Sequence, residues 1–144
     1  MSELKVSLRR IAEDGFTLNE AIVADTAKPV APQIAFDLLS DIEKNLLTIA
    51  IQVIYATPEK EVAAALRFHY TLEVVSLKNL QYLVDAKKGT HNYRFPNGFL
   101  EAVLTDVYAT ARILMARHLS GTRLEDIYLP FGGASNLVKI LNKR

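Results

Sequence analysis

The stretch from Asn97 to Ser120, NGFLEAVLTDVYATARILMARHLS, limits what this chain can fold into more than any other. It is the one segment both long enough and periodic enough to demand a helix. Wound at about 100° per residue, it carries two apolar arcs instead of one. Leu100, Val103, Leu104, Val107, Tyr108, Ala111, Leu114 and Met115 share one broad arc. Glu101, Thr105 and Arg112 form a polar ridge on one flank, and Asp106, Thr110 and Arg117 form another. Between the ridges lie Ala102, Ala109 and Ala116, with Ile113 at the edge. Alanines at heptad spacing let another backbone come close. One broad arc is enough to pack a helix on its own core. The second implies a further layer, which is either another copy of the chain or a second side of burial within one subunit.

The residues before this helix alternate as strands do. Leu4, Val6 and Leu8 oppose Lys5, Ser7 and Arg9, giving a half-buried strand over Leu4 to Ala12. Asp14-Gly15 is a turn signal, after which Phe16-Thr17-Leu18 resumes the strand past a bend or bulge. Ala24 to Gln33 contains Pro29 and Pro32 and reads as a connection crossing to another part of the sheet. Ile34, Phe36 and Leu38 mark a second strand, followed by the polar link from Ser40 to Lys44. From Asn45 to Ala56 the odd positions are apolar, and from Val62 to Ser76 the even ones, Val62 included. The turn Thr57-Pro58-Glu59-Lys60-Glu61 between these runs makes them an antiparallel hairpin. The minority face of the first run carries Leu46, Ala50 and Ile54, so a helix, a partner or a ligand is expected to cover it.

Leu77 to Val84 is mixed, and Asp85 to Arg94 reads as a polar loop. Asn97 is the expected N-cap of the long helix, with Pro96 preventing earlier winding and Gly121 as the stop. Leu124 to Phe131 is an extended connector, Gly132-Gly133 a joint, and Ala134 to Leu141 a short helix with Leu137, Ile140 and Leu141 on one side. Strands first and helices after predict an α+β domain spanning residues 1–144: a four-stranded antiparallel sheet, then one long and one short helix.

Composition narrows function mainly by exclusion. With 17 basic and 16 acidic residues the net charge is +1, which gives no reason to expect nucleic acid or an anionic membrane as a partner. The chain has no cysteine, so disulfides, thiolate metal sites and cysteine nucleophiles are out. Its start shows no secretory pattern, and the most apolar window, Leu46 to Ala56, is too short to span a bilayer. A cytoplasmic protein is expected. His69, His91 and His118 have no second ligand at metal-binding spacing, and Gly132-Gly133 lacks the lysine and hydroxyl of a phosphate loop. No catalytic residues, cofactor or metal are expected. What remains is apolar surface too extensive for a solitary subunit, unless the terminal helix covers it.

In layout the chain resembles the SecB chaperone family. The resemblance lies in the first strand with its bend at Asp14-Gly15-Phe16, the proline-containing crossing, the hairpin of Asn45 to Ser76, FPNGFLEAVLTDVYATARILMARHLSGT, and the close YLPFGGASNLVKIL. It implies a homotetramer, a dimer of dimers with long helices sandwiched between sheets. It also implies an ATP-independent holdase that shields unfolded polypeptides in apolar grooves. The corresponding client-binding candidates are Phe16, Ile42, Leu46, Ile54, Leu137 and Leu141, and the oligomer interface would use Ala102, Ala109, Ile113 and Ala116. Export-type members are acidic and dock the SecA translocase. Here Arg67 and His69 stand where acidic character belongs, and the chain closes on Asn142-Lys143-Arg144. Service to SecA is therefore in doubt, and a dedicated partner such as an antitoxin is the alternative. Two other readings stay open. One is a small-molecule binding domain or enzyme with a pocket between sheet and helix, using His69 or Tyr70 as a polar handle. The other is an oligomeric adaptor whose apolar surfaces serve self-assembly.

Overall fold

The computed structural model describes residues 5–85, 90–93, 95–96 and 98–142, and within 81–85, 90–93 and 141–142 it is the backbone that is described. Four strands form one antiparallel sheet: β1 (Val6–Leu18), β2 (Ala31–Asp41), β3 (Leu46–Ala56) and β4 (Val62–Val74), in the order β1-β4-β3-β2. The chain passes from one edge of the sheet to the other between β1 and β2. That crossing contains a five-residue helix, α1 (Glu20–Ala24), too short to show a helical period in the sequence. Asn19 caps it, its side chain accepting from the Ile22 amide. Pro32 sits inside β2 instead of before it, and tolerates this because β2 is an edge strand needing hydrogen bonds on one side only.

The predicted hairpin forms as β3 and β4, with Ile49 opposite Tyr70 and Ile51 opposite Phe68. A register shift at Tyr55/Ala56 puts the top of β4 out of phase, so Val62 is 41% exposed while Ala63 and Ala64 are buried. The sequence assigned Val62 inward, and the bulge turns it out. β1 carries two bulges, between Leu8 and Arg10 and between Glu13 and Gly15. Its apolar residues change phase at the same two places: Val6 and Leu8, then Ile11, then Phe16 and Leu18. Each bulge thereby returns an apolar side chain to the inner face, Ile11 opposite Tyr70 and Phe16 opposite Leu66.

After β4 a 3-10 turn (Leu77–Leu80) leads into a second, two-stranded sheet, β5 (Gln81–Asp85) with β6 (Thr90–Tyr93). Within Asp85 to Arg94, which the sequence presents as a polar loop, Asp85 and Thr90–Tyr93 have strand backbone and pair across β5 and β6. The long helix α2 (Phe99–Leu119) follows, its N-cap position held by Gly98 in the left-handed region at φ 83° and not by the expected Asn97, which lies outside the described residues. Gly121, at φ 86°, ends the helix where predicted. The short helix α3 (Ala134–Asn142) closes the chain. The fold is α+β, with the four-stranded sheet followed by a long and a short helix, as the order of elements had implied.

The core lies between α2 and one face of the sheet. Val103, Leu104, Val107, Tyr108, Ala111 and Met115 from the broad arc are all buried, against the odd positions of β3 and the even ones of β4. Leu137 from α3 is 0% exposed and belongs to the same cluster.

Candidate functional site

Three surfaces are left uncovered by this packing, and each traces to a sequence feature. The first is the outer face of the sheet. Leu46, Thr48, Ala50, Gln52 and Ile54 of β3 all point there and are only half-buried, and no element of the chain lies over them among the described residues. Two adjoining depressions mark this face, of about 250 Å³ around Ala35, Ala50 and Arg67 and of about 450 Å³ around Arg10, Leu46 and Thr48. Asp14 and His69 line both. The β1 bulge explains their meeting: it makes Asp14 the extra residue of its strand and aims its carboxylate at Nδ1 of His69 on β4. Across the face, the hydroxyls of Thr48 and Thr71 are 3.1 Å apart.

The second surface is the flank of α2 that stands beside β1. Tyr70 donates to Asp106, Arg117 donates to Glu13 at 3.1 Å, and His118 meets Glu13 at 2.5 Å. These bonds fix the ridge through Asp106 and Arg117 over the β1–β4 side of the sheet. Ile113, on the same ridge, is 67% exposed, and the inward-facing Val6, Leu8 and Ile11 of the edge strand are exposed too. Ala102 and Ala109 are exposed and Ala116 half-buried, so among the described residues the second arc is left largely open.

The third surface is the turn between α2 and α3. Phe131 is 99% exposed, with Tyr128 and Ile140 also exposed nearby in sequence. This turn is held firmly from beneath. Tyr108 donates to the Pro130 carbonyl at 2.6 Å, and Arg112 donates to the Leu129 and Pro130 carbonyls at 3.1 Å each. Gly133 presses so close that a Cβ there would lie 2.0 Å from the Tyr108 hydroxyl. Neighbouring Tyr55 donates to the Ile127 carbonyl. Burial pushes the Tyr55 phenol up to about 12 and raises the Tyr108 phenol as well, so both stay protonated donors. Tyr70 is raised by burial and by its bond to Asp106.

The six client-binding candidates are spread over these surfaces and the core. Leu46 and Ile54 are half-buried on the outer face, eight residues apart on β3, a separation of about 26 Å. Ile42 is half-buried in the β2–β3 turn. Phe16 faces the other side of the sheet, its ring stacked on His118 at 4.3 Å. Leu137 is a core residue, because α3 packs its apolar side onto α2. The side chain of Leu141 lies outside the described residues. Sequence reasoning missed Leu39, Tyr128 and Phe131, all exposed. Leu39 follows Leu38 and breaks the alternation of its strand, and Phe131 precedes two glycines; both are legible signals.

No group of three His, Cys, Asp or Glu among the described residues is placed to hold a metal, and no described helix is long and apolar enough to cross a membrane. No family model and no curated protein matches the chain. Among solved structures, it is similar to a Streptococcus agalactiae protein of unknown function, with a TM-score of 0.42 and 9% identity over 89% of this chain and 97% of that one. It is also similar to the Mycobacterium tuberculosis Rv1957 SecB-like chaperone, solved with a ChAD peptide from the Rv1956 HigA1 antitoxin, with a TM-score of 0.39 and 8% identity over 79% of this chain and 80% of that one. Likenesses this distant transfer neither a site nor a partner.

Proposed function

We propose that the protein is a SecB-like holdase that binds unfolded polypeptides without ATP and without a catalytic step, acting in the cytoplasm as a homo-oligomer. One observation carries the reading: large apolar side chains stand uncovered on a subunit whose core is otherwise fully packed. Phe131, Tyr128 and Ile140 from the C-terminal segment, and Leu39 on the outer face, are exposed among the described residues. Apolar surface of this kind marks interaction. The sequence resemblance to the SecB family supports the same reading through the order of strands, long helix and short helix.

Self-assembly has its own support. The Ala102–Ala109–Ala116 arc and Ile113 leave one side of α2 open, and β1, which Arg117 and His118 of the same helix reach through Glu13, carries exposed apolar side chains. β1 is also a sheet edge of thirteen residues, whose outer backbone groups have no strand to pair with in the described chain. A second copy docked there would cover both. A dimer of dimers is the assembly the resemblance implies, and a dedicated client such as an antitoxin is a narrower form of the same activity.

The test is an aggregation assay beside a mass measurement in solution. Chemically unfolded client diluted into buffer should aggregate more slowly in the presence of the purified protein, and the protein should have a multimer's mass. A monomer that leaves aggregation unchanged refutes the proposal.

A further inference from the structure

The outer face of the sheet carries two guanidinium groups that the fold does not use. Arg10 lines the larger depression and Arg67 the smaller. Among the described residues neither makes a hydrogen bond or an ion pair, in contrast to Arg9, Arg112, Arg117 and Arg123. The acids of the same face are already occupied. Asp14 is taken by His69, and Glu73 by Arg9 at 3.1 Å from Nε. Asp41 accepts from the Lys44 amide at 3.3 Å, and Asp37 has an interaction of its own. On the β1–β4 half the unanswered charge is therefore positive, while Asp37 and Asp41 keep their carboxylates on the β2 side of the two depressions.

The two arginines are spaced in strand register. Arg10 is paired with Thr71, which follows Arg67 by four residues along β4. That places the two groups about 13 Å apart along the strand direction, at about 3.3 Å per residue. An extended segment laid along the strands shows the same face at every second residue, so its residues i and i+4 would stand over the two arginines. Residue i+2 would then stand over the His69–Asp14 pair. The floor between them is low, because it is made of Ala12, Ala50 and Thr71.

We propose that this strip docks an extended acidic segment of a partner polypeptide, with carboxylates at i and i+4 received by Arg67 and Arg10. A guanidinium receives a carboxylate through two parallel N–H bonds, which fixes position as well as charge. The proposal stands apart from the holdase reading, since it needs a charged face and not an apolar one.

The experiment is fluorescence polarisation with labelled ten-residue peptides that differ only in charge placement: Asp at i and i+4, Asp at i and i+3, and Lys at i and i+4. The first should bind at least about fivefold more tightly than the second, whose acids fall on opposite sides of an extended chain, and the Lys peptide should not bind. Binding should weaken as salt is raised. In the double variant Arg10→Glu/Arg67→Glu the acidic peptide should lose at least about tenfold in affinity, and the Lys peptide should gain. Both positions are exposed, so the variants should keep the native thermal melt. If they do not, Arg10→Gln/Arg67→Gln replaces them with the same expected loss. Binding of the Lys peptide to the native chain as tight as that of the acidic one overturns the proposal. So does equal binding of the two Asp spacings, or an acidic peptide whose affinity survives charge removal within twofold. Aggregation suppression of an uncharged apolar client, measured on the same variants, should be unchanged, which separates this result from any failure of the holdase reading.

Discussion

Arg123, just beyond α2, donates from its guanidinium to the carbonyl of Ile22 at 2.9 Å, 101 residues earlier in the chain. The same group reaches the carbonyls of Asp25 and Lys28 at 2.9 Å each, and that of Val23. One side chain thus ties the segment after the long helix to the end of α1 and the crossing between the sheet edges. A planar fork of donors can serve several carbonyls at once, and an ammonium cannot. Arg123→Ala should cost about 2 kcal/mol, the range for hydrogen bonds from a charged donor. Arg123→Lys should recover little of it. The check is a urea midpoint with limited proteolysis, and cleavage should rise between residues 19 and 30.

Gly133 is required by proximity, not by its backbone angle. A methyl group there would sit 2.0 Å from the hydroxyl and 2.5 Å from Cζ of Tyr108. Gly133→Ala should destabilise by about 1–3 kcal/mol, the usual cost of overpacking. Adding Tyr108→Phe should relieve only part of this, since the ring carbon still collides and the bond to Pro130 is gone. Thermal melts of the two single variants and the double variant check the cycle.

Leu137 and Phe131 stand six residues apart with opposite fates. Leu137→Ala removes a fully buried side chain and should cost about 2–5 kcal/mol. Phe131→Ser removes one that touches water on all sides, and should change stability by less than about 0.5 kcal/mol. It should nevertheless weaken aggregation suppression if the exposed surfaces bind clients. A Phe131→Ser protein that is equally stable and equally active would remove Phe131 from the binding surface.

Alkaline pH should loosen the turn between α2 and α3. The Tyr55 phenol is raised from its ordinary 10.0 to about 12 in the folded chain, chiefly by burial. The folded state therefore holds this proton more tightly than the unfolded one. Its contribution to stability is complete below about pH 10 and is lost as pH rises from there through about 12. Tyr55→Phe should flatten that decline while costing about 1 kcal/mol at neutral pH for the lost bond to Ile127. Urea melts between pH 8 and 11 would show both effects.

Ala109 is exposed on the second arc of α2. Ala109→Glu should leave the subunit's melt within about 0.5 kcal/mol of the parent and split the assembly into smaller units by mass. A variant that stays fully assembled would place the subunit contact elsewhere.

Much of the fold was legible because its residues respond to local rules. The turn signal Asp14-Gly15 announces one bulge of β1, whereas the one between Leu8 and Arg10 falls inside a stretch that reads as unbroken alternation, and the two arcs of α2 announce one buried side and one left open among the described residues. α1 was missed because five residues are too few to establish a period, and β5–β6 because the polarity of Asp85 to Arg94 looked like a loop. The site was less legible than the fold. Apolar periodicity marks a side chain as wanting burial, but Leu137 and Phe131 carry the same mark, and only packing separates them.

The sequence by itself determined the four long strands, the two longer helices, their order and, away from the bulge that turns Val62 out, the face each turns inward, because alternation and helical period are properties of neighbouring residues. Tertiary structure alone decided which pairs meet across the chain. It brought Asp14 to His69, Glu13 to His118 and Arg123 to Ile22, left Arg10 and Arg67 without a partner among the described residues, and buried Leu137 of α3 against α2. Such contacts depend on strand order, register and the line of a helix across a sheet. These follow from many side chains packing at once, and no short stretch of sequence contains them.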